Sequence, residues 1–293
     1  MVKDFEQFKE LYPFKSNFFK LGDYNYHYVD EGEGDPFLMI HGNPSWSFLY
    51  RELIKEFSSS NRVIAPDHLG FGLSDKPKQF PYRLETHIDN LEAFVVGLDL
   101  KNITLIVHDW GGPIGLGVAV RYPERIKRVI ITNTAAFSMK KIPFRIKLGK
   151  MPWLGSKLIK NFNLFAKAAT VMTTVKPLDK KIKEAYLYPF QTTHDRTGIL
   201  RFVQDIPLAP IHPSFEVLLG VEHGLWMFKS KPTAIIWGMK DWCFSPLFFE
   251  KWLDVYPNAS QCILDNAGHW LFEDEPEKII DFIHCFMAET NEE

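Results

Sequence analysis

The sequence predicts an α/β fold: a mostly parallel central sheet flanked by helices, with a helical segment inserted into it. Two patterns predict this. Short apolar runs alternate with longer helical stretches, and that rhythm stops between residues 135 and 231 before resuming at Thr233. The 293 residues, 46% of them hydrophobic and 24% charged, suffice for one large core plus an insertion.

Phe37-Leu38-Met39-Ile40 and Val63-Ile64-Ala65 are the first strand-like runs. Leu84, Ile88, Leu91, Val95 and Leu98 then recur at helical spacing and predict an amphipathic helix. Ile103-Thr104-Leu105-Ile106-Val107 is the next strand. Gly111 to Tyr122, small and apolar nearly all round, predicts a helix that must be buried. Val129-Ile130-Ile131 follows. From Ala135 to Lys231, Pro, aromatic and helical segments replace the strands, predicting a helical cap over 135–231 inserted into a core of 1–134 and 232–293. Ala234-Ile235-Ile236-Trp237 and Gln261-Cys262-Ile263-Leu264 complete the sheet. The polar end Asn291-Glu292-Glu293 reads as frayed.

A net charge of −2 and the lack of a basic stripe interleaved with aromatics argue against nucleic-acid binding. The start, Met1-Val2-Lys3-Asp4-Phe5-Glu6, carries acids where a signal peptide needs an apolar core, and no run approaches membrane-spanning length. A cytoplasmic location is expected, with membrane association unlikely. Cys243, Cys262 and Cys285 are odd in number and widely spaced, so neither a disulfide framework nor a zinc site is expected.

Within Val107-His108-Asp109-Trp110-Gly111-Gly112, Asp109 sits where a strand turns into a helix, above the carboxyl edge of the sheet. A carboxylate there suits displacement at saturated carbon, and the product of its attack is an ester. The base is His269 in Asp265-Asn266-Ala267-Gly268-His269-Trp270, after the last strand. The orienting acid is Asp241 in Trp237-Gly238-Met239-Lys240-Asp241-Trp242, after the penultimate one. His269 would take a proton from water attacking the Asp109 ester, while Asp241 holds the imidazole tautomer. The backbone N–H groups of Asn43 and Trp110 are candidates for an oxyanion hole. The Asn43 amide and Trp110 indole are neutral donors suited to a diffuse leaving anion such as halide. Asp67, in Pro66-Asp67-His68-Leu69-Gly70-Phe71-Gly72, is expected to bond turn amides, and His41 and His108 to shape loop packing.

Nucleophile, acid and base follow in the chain order of α/β-hydrolases, although Val107 replaces the first small residue of the Gly-x-nucleophile-x-Gly turn. His41-Gly42-Asn43-Pro44, the stretch Pro66 to Pro77, His108-Asp109-Trp110-Gly111-Gly112 and Ala267-Gly268-His269 together resemble the haloalkane dehalogenase family. The resemblance implies an α/β-hydrolase fold, an Asp109–His269–Asp241 triad, an Asn43–Trp110 halide pair, and no cofactor or metal. One group of that family carries Glu after the sixth strand. This chain has Asn133 there, which leaves Asp241 as the acid.

That combination resembles the third dehalogenase subfamily, which is also similar to β-lactone decarboxylases of long-chain olefin biosynthesis. The expected activity is therefore displacement of halide from an apolar alkyl halide. β-Lactone decarboxylation is the close alternative, and docking on a partner of an olefin-forming assembly comes with it. Epoxide hydrolases share the core, with Tyr186 and Tyr188 as candidate cap tyrosines, but Asn43 departs from their pattern. A ligand-binding receptor is the non-enzymatic alternative.

Phe137, Phe144, Trp153, Leu154, Phe162, Phe165, Met172, Phe190, Phe202 and Trp226 make the insertion rich in large apolar side chains, as an apolar substrate pocket requires, and a core for the cap explains most of them equally well. Lys140, Lys141, Arg145, Lys147, Lys150, Lys157 and Lys160 lie among apolar residues and are expected to form solvated helix faces, with a lipid surface or an acidic partner as the alternative.

Overall fold

The computed structural model describes residues 5–138, 146–147 and 150–291, so Lys140, Lys141, Phe144 and Arg145 lie outside the described residues. Its strands are β1 (Asn17–Leu21), β2 (Tyr24–Glu31), β3 (Pro36–Ile40), β4 (Arg62–Pro66), β5 (Ile103–Asp109), β6 (Ile126–Thr134), β7 (Thr233–Gly238) and β8 (Ser260–Leu264). They form one sheet in the order β1-β2-β4-β3-β5-β6-β7-β8. β3 to β8 pair in parallel, while β1 pairs β2 and β2 pairs β4 antiparallel.

Each apolar run identified from sequence falls within one of β3 to β8. The β1–β2 hairpin carries no such run. β1 lies at the sheet edge and is only partly buried, and in β2 Asn25 and His27 interrupt the tyrosines, so no contiguous apolar signal marks the pair. The central strands β3 and β5 are buried at every position, because helices cover both faces.

Successive side chains alternate between the faces: Leu38 and Leu105 join one apolar cluster, Phe37 and Ile106 the other. The first cluster receives helices α2 (Leu84–Gly97) and α3 (Gly111–Arg121), and the second α1 (Arg51–Phe57). Close approach of α3 depends on two glycines. A Cβ on Gly117 would lie 2.5 Å from Ile88 of α2, and one on Gly115 2.8 Å from Val107 of β5. Gly115 thus leaves room for the Val107 side chain.

Between β6 and β7 lie α4 (Pro152–Gly155), which runs into a π-helical turn at Ser156–Asn161, then α5 (Leu164–Met172), α6 (Lys180–Leu187), α7 (Thr197–Gln204) and α8 (Phe215–Gly224). Helix α9 (Pro246–Val255) joins β7 to β8, and α10 (Leu271–Asp274) and α11 (Pro276–Asn291) follow. Two buried carboxylates fasten the helices after β6 to the sheet-bearing part. Glu273 accepts from Arg51 and from the Tyr186 hydroxyl. Asp274 accepts from the N–H groups of Val175, Lys176 and Gly268 at 2.8–3.0 Å.

Candidate active site

Strand β5 ends on Asp109, whose φ of 51° lies in the left-handed region and turns the chain directly into α3. A non-glycine residue adopts that conformation at a cost of order 1–3 kcal/mol, and the surroundings hold it there. A Cβ on Gly111 would sit 1.9 Å from the Ile40 carbonyl, and one on Gly112 1.9 Å from Thr134 Oγ1. The Thr134 hydroxyl donates to the Asp109 carbonyl. Only glycines allow the turn to pass between these groups.

The Asp109 side chain is buried, and its two oxygens have different surroundings. Oδ1 accepts the Asn43 N–H at 2.6 Å, and the Trp110 backbone N–H also bonds the carboxylate. Oδ2 faces His269 Nε2 at 3.7 Å. Burial pushes the Asp109 carboxyl above the usual carboxylate range, against the pull of His269 and the two N–H groups.

His269, on the loop between β8 and α10, places Nδ1 2.8 Å from Asp241 Oδ2. With a carboxylate on Nδ1, the neutral ring carries its hydrogen there and leaves Nε2 as the acceptor. Asp241 follows β7. Its Oδ1 accepts the N–H groups of Cys243 and Phe244 at 2.6 and 3.0 Å, and its Oδ2 also accepts Asn133 Nδ2 at 2.9 Å. Burial disfavours the His269 imidazolium, but the Asp241 charge and hydrogen bond and the Asp109 charge outweigh it, holding the ring above its ordinary value. Phe244 stacks on the His269 ring with 5.6 Å between centroids.

Asn43 and Trp110 both line the cavity above Asp109. One Asn43 side-chain N–H is already given to the Ile199 carbonyl at 3.2 Å, and Asn43 Oδ1 has no partner. The Trp110 ring meets Phe202 edge-on at 5.1 Å. The cavity has a volume of about 470 Å³ and is walled by apolar side chains such as Phe137, Ile159, Phe165 and Met172, with Asp109 and His269 at its floor. Trp153, Phe162 and Trp226, expected among the pocket aromatics, instead face outward. Neither Tyr186 nor Tyr188 lines it.

Asp67 accepts the N–H groups of Ser47 and Leu73, each at 2.8 Å, as expected of a turn-capping carboxylate. His41 bonds the Gly42 carbonyl, and His108 Nε2 bonds the His269 carbonyl, each at 2.8 Å. Among the described residues no cluster of His, Cys, Asp and Glu could hold a metal ion.

A family model described as alpha/beta hydrolase fold matches residues 35–276. The chain belongs to the α/β-hydrolase family. This hydrolase is 42% identical over 287 residues to a cis-3-alkyl-4-alkyloxetan-2-one decarboxylase of Shewanella oneidensis, covering 96% of this chain and 90% of the relative. A decarboxylase of the same name from Xanthomonas campestris is 37% identical over 89% of this chain and 91% of its own length. Haloalkane dehalogenase 2 of Mycobacterium tuberculosis is 33% identical over 95% of this chain and 97% of its own. The crystal structure of haloalkane dehalogenase DbeA from Bradyrhizobium elkani superposes with a TM-score of 0.86 over 94% of this chain and 98% of that one, at 22% identity. That likeness bears on the fold alone.

Asn133 and Asp274 belong to this candidate site, and neither stands out in the sequence. Asn133 marks there only the absence of an acid, although an Asn at a strand end tolerates the positive φ of 30° found there. Asp274 lies in the acidic run Glu273-Asp274-Glu275, which resembles a solvated surface until folding buries it. Its position five residues after His269 was the available signal.

Proposed function

We propose that this hydrolase uses Asp109 as a nucleophile on an apolar small molecule, and that its substrates are cis-3,4-dialkyl β-lactones, which it decarboxylates to alkenes. The observation that carries the substrate reading is the 42% and 37% identity, over most of both chains, to relatives named for that activity. The supporting geometry is a carboxylate that lines an apolar cavity, with one oxygen bound by the Asn43 N–H and the other facing His269.

In this reading Asp109 Oδ2 attacks the saturated ring carbon that bears the ring oxygen. A carbon–oxygen ester bond forms, and the ring carbon–oxygen bond breaks with its electron pair, leaving a carboxylate on the neighbouring carbon. That carboxylate departs as carbon dioxide. Its bonding pair becomes the carbon–carbon double bond, and the Asp109 ester bond breaks to return the free carboxylate. No water is consumed. His269 beside Asp241, when protonated, balances the negative charge that moves between the two carboxylates. The Asn43 N–H, on Oδ1, stays on the ester carbonyl oxygen throughout.

Halide displacement is the second reading, favoured by the placement of Asn43 and Trp110 in the cavity wall. There the Asp109 ester is hydrolysed by water that neutral His269 deprotonates. Epoxide opening loses support, because Tyr186 lies outside the cavity with its hydroxyl on Glu273. We further read residues 135–231 as a cap, since β6 ends at Thr134 and β7 begins at Thr233.

Parallel turnover of a long-chain cis-β-lactone and a terminal bromoalkane, by wild type and Asp109→Ala, tests this. Alkene formation that disappears in Asp109→Ala supports decarboxylation. Bromide release without alkene moves the assignment to dehalogenation. Alkene formation that survives Asp109→Ala removes the nucleophile from the mechanism.

A further inference from the structure

Residues 135–178 contain nine Lys or Arg and no Asp or Glu, in a chain whose net charge is −2. Part of this charge is used internally: Lys150 donates to the carbonyls of Gln204 and Ile206, and Lys176 to that of Asp274. The other described lysines of the segment reach solvent. Lys157 and Lys167 are exposed and Lys160 half-buried, and among the described residues none of the three has a carboxylate partner.

Large apolar side chains are interleaved with these lysines on the same outer surface. Trp153 is 93% exposed, Phe162 54% and Met151 50%. Trp153 and Lys157 stand one turn apart where α4 runs into its π-helical turn. The inward sides of the same elements carry Leu158, Ile159, Phe165 and Met172, which wall the cavity. Leu164 belongs to both sides, being 46% exposed and part of the cavity wall. The apolar surface is thus continuous with the cavity.

We propose that this outer face of α4, its π-helical turn and α5 docks on an anionic phospholipid bilayer. Tryptophan and phenylalanine beside unpaired lysines are the chemistry of an interfacial helix, in which the rings enter the headgroup boundary and the ammonium groups meet lipid phosphates. The absence of acidic residues in this segment disfavours a second copy of the same face, which would repel it. No helix among the described residues is long and apolar enough to cross a membrane, so the attachment is peripheral. Docking places the cavity wall against the phase in which a dialkyl substrate dissolves. That last consequence rests on the proposed substrate class; the docking does not. The proposal departs from the solvated-face expectation because solvated faces do not hold tryptophan at full exposure beside phenylalanine.

The test is cosedimentation of the full chain with vesicles of equal parts phosphatidylglycerol and phosphatidylcholine, beside vesicles of phosphatidylcholine alone. The expected result is binding to the anionic vesicles only, weakened by added salt. Combining Lys157→Glu, Lys160→Glu and Lys167→Glu should weaken that binding roughly 100-fold or more. Trp153→Ser should weaken it less, and lose it first as salt is raised. Both variants should keep the wild-type Tm and turnover of a soluble short-chain substrate, which separates loss of docking from loss of fold or of the proposed reaction. Equal binding by wild type and the triple variant overturns the proposal. Failure of wild type to sediment with anionic vesicles also overturns it and leaves an acidic protein as the reading of the charge.

Discussion

Asn133 Nδ2 donates to Asp241 Oδ2 at 2.9 Å, the same oxygen that accepts from His269 Nδ1 at 2.8 Å. The amide also bonds Gly238 in both directions, at 3.1 and 2.8 Å. Asn133, where one group of dehalogenases carries the acid, thus bonds the side chain of the candidate acid Asp241. Asn133→Leu leaves Asp241 one donor short, and a buried bond of this kind is worth about 1–3 kcal/mol. The expected loss is roughly 10–100-fold in kcat with KM little changed. A kcat equal to wild type would show that Asp241 needs no support from Asn133.

Gly42 lies against the candidate nucleophile: a Cβ there would stand 2.0 Å from Asp109 Oδ1. Gly42→Ala must therefore displace either the carboxylate or the Asn43 N–H that binds it. A shift of about 1 Å in a reacting group costs on the order of 100-fold in rate. Steady-state kinetics should show that loss in kcat, while circular dichroism stays that of the folded chain.

The two proposed reactions make opposite demands on His269, whose protonation midpoint is raised. Hydrolysis of an Asp109 ester needs the neutral ring, so bromide turnover should fall as pH drops through the raised value. Decarboxylation needs the imidazolium, so alkene formation should fall as pH rises through it. Asp241→Asn removes the larger of the two raising charges and leaves burial opposed by Asp109 alone, which moves either midpoint downward. Midpoints shared by the variant and wild type would exclude His269 as the titrating group.

Asp67 is fully buried, and burial alone would raise its carboxyl. His27, His41 and the Leu73 N–H outweigh this and bring it down to about 2. A folded value below the unfolded one adds stability that is complete above the unfolded value and is lost as pH falls through about 2. The contribution is about 2 kcal/mol near neutral pH. Asp67→Asn should unfold at a lower temperature than wild type at pH 7, and the two melting curves should converge in strong acid.

Asp274 joins the segment after α5 to the loop that carries His269, through N–H groups on both sides. Asp274→Ala leaves three backbone donors without this acceptor, that of Gly268 buried and those of Val175 and Lys176 partly exposed, and should cost about 1–3 kcal/mol. Denaturant melts measure that cost. Loosening of the His269 loop should also lower kcat. A melt unchanged from wild type would remove Asp274 as the tie between these segments.

Local sequence alone determined the parallel strands, the turn that carries Asp109, the buried helix after it and the chain order of Asp109, Asp241 and His269. These features rest on apolar periodicity, glycine placement and residue type, which act over a few residues. The β1–β2 hairpin carries no apolar run because β1 is a partly exposed edge strand and polar Asn25 and His27 interrupt β2. Tertiary structure alone decided which Asp109 oxygen meets the amides, that Asn133 serves Asp241, and that Glu273 and Asp274 are buried ties. It also turned Trp153 outward while neighbouring residues formed the cavity wall. Each of these depends on groups brought together from distant parts of the chain, and no local pattern encodes that meeting.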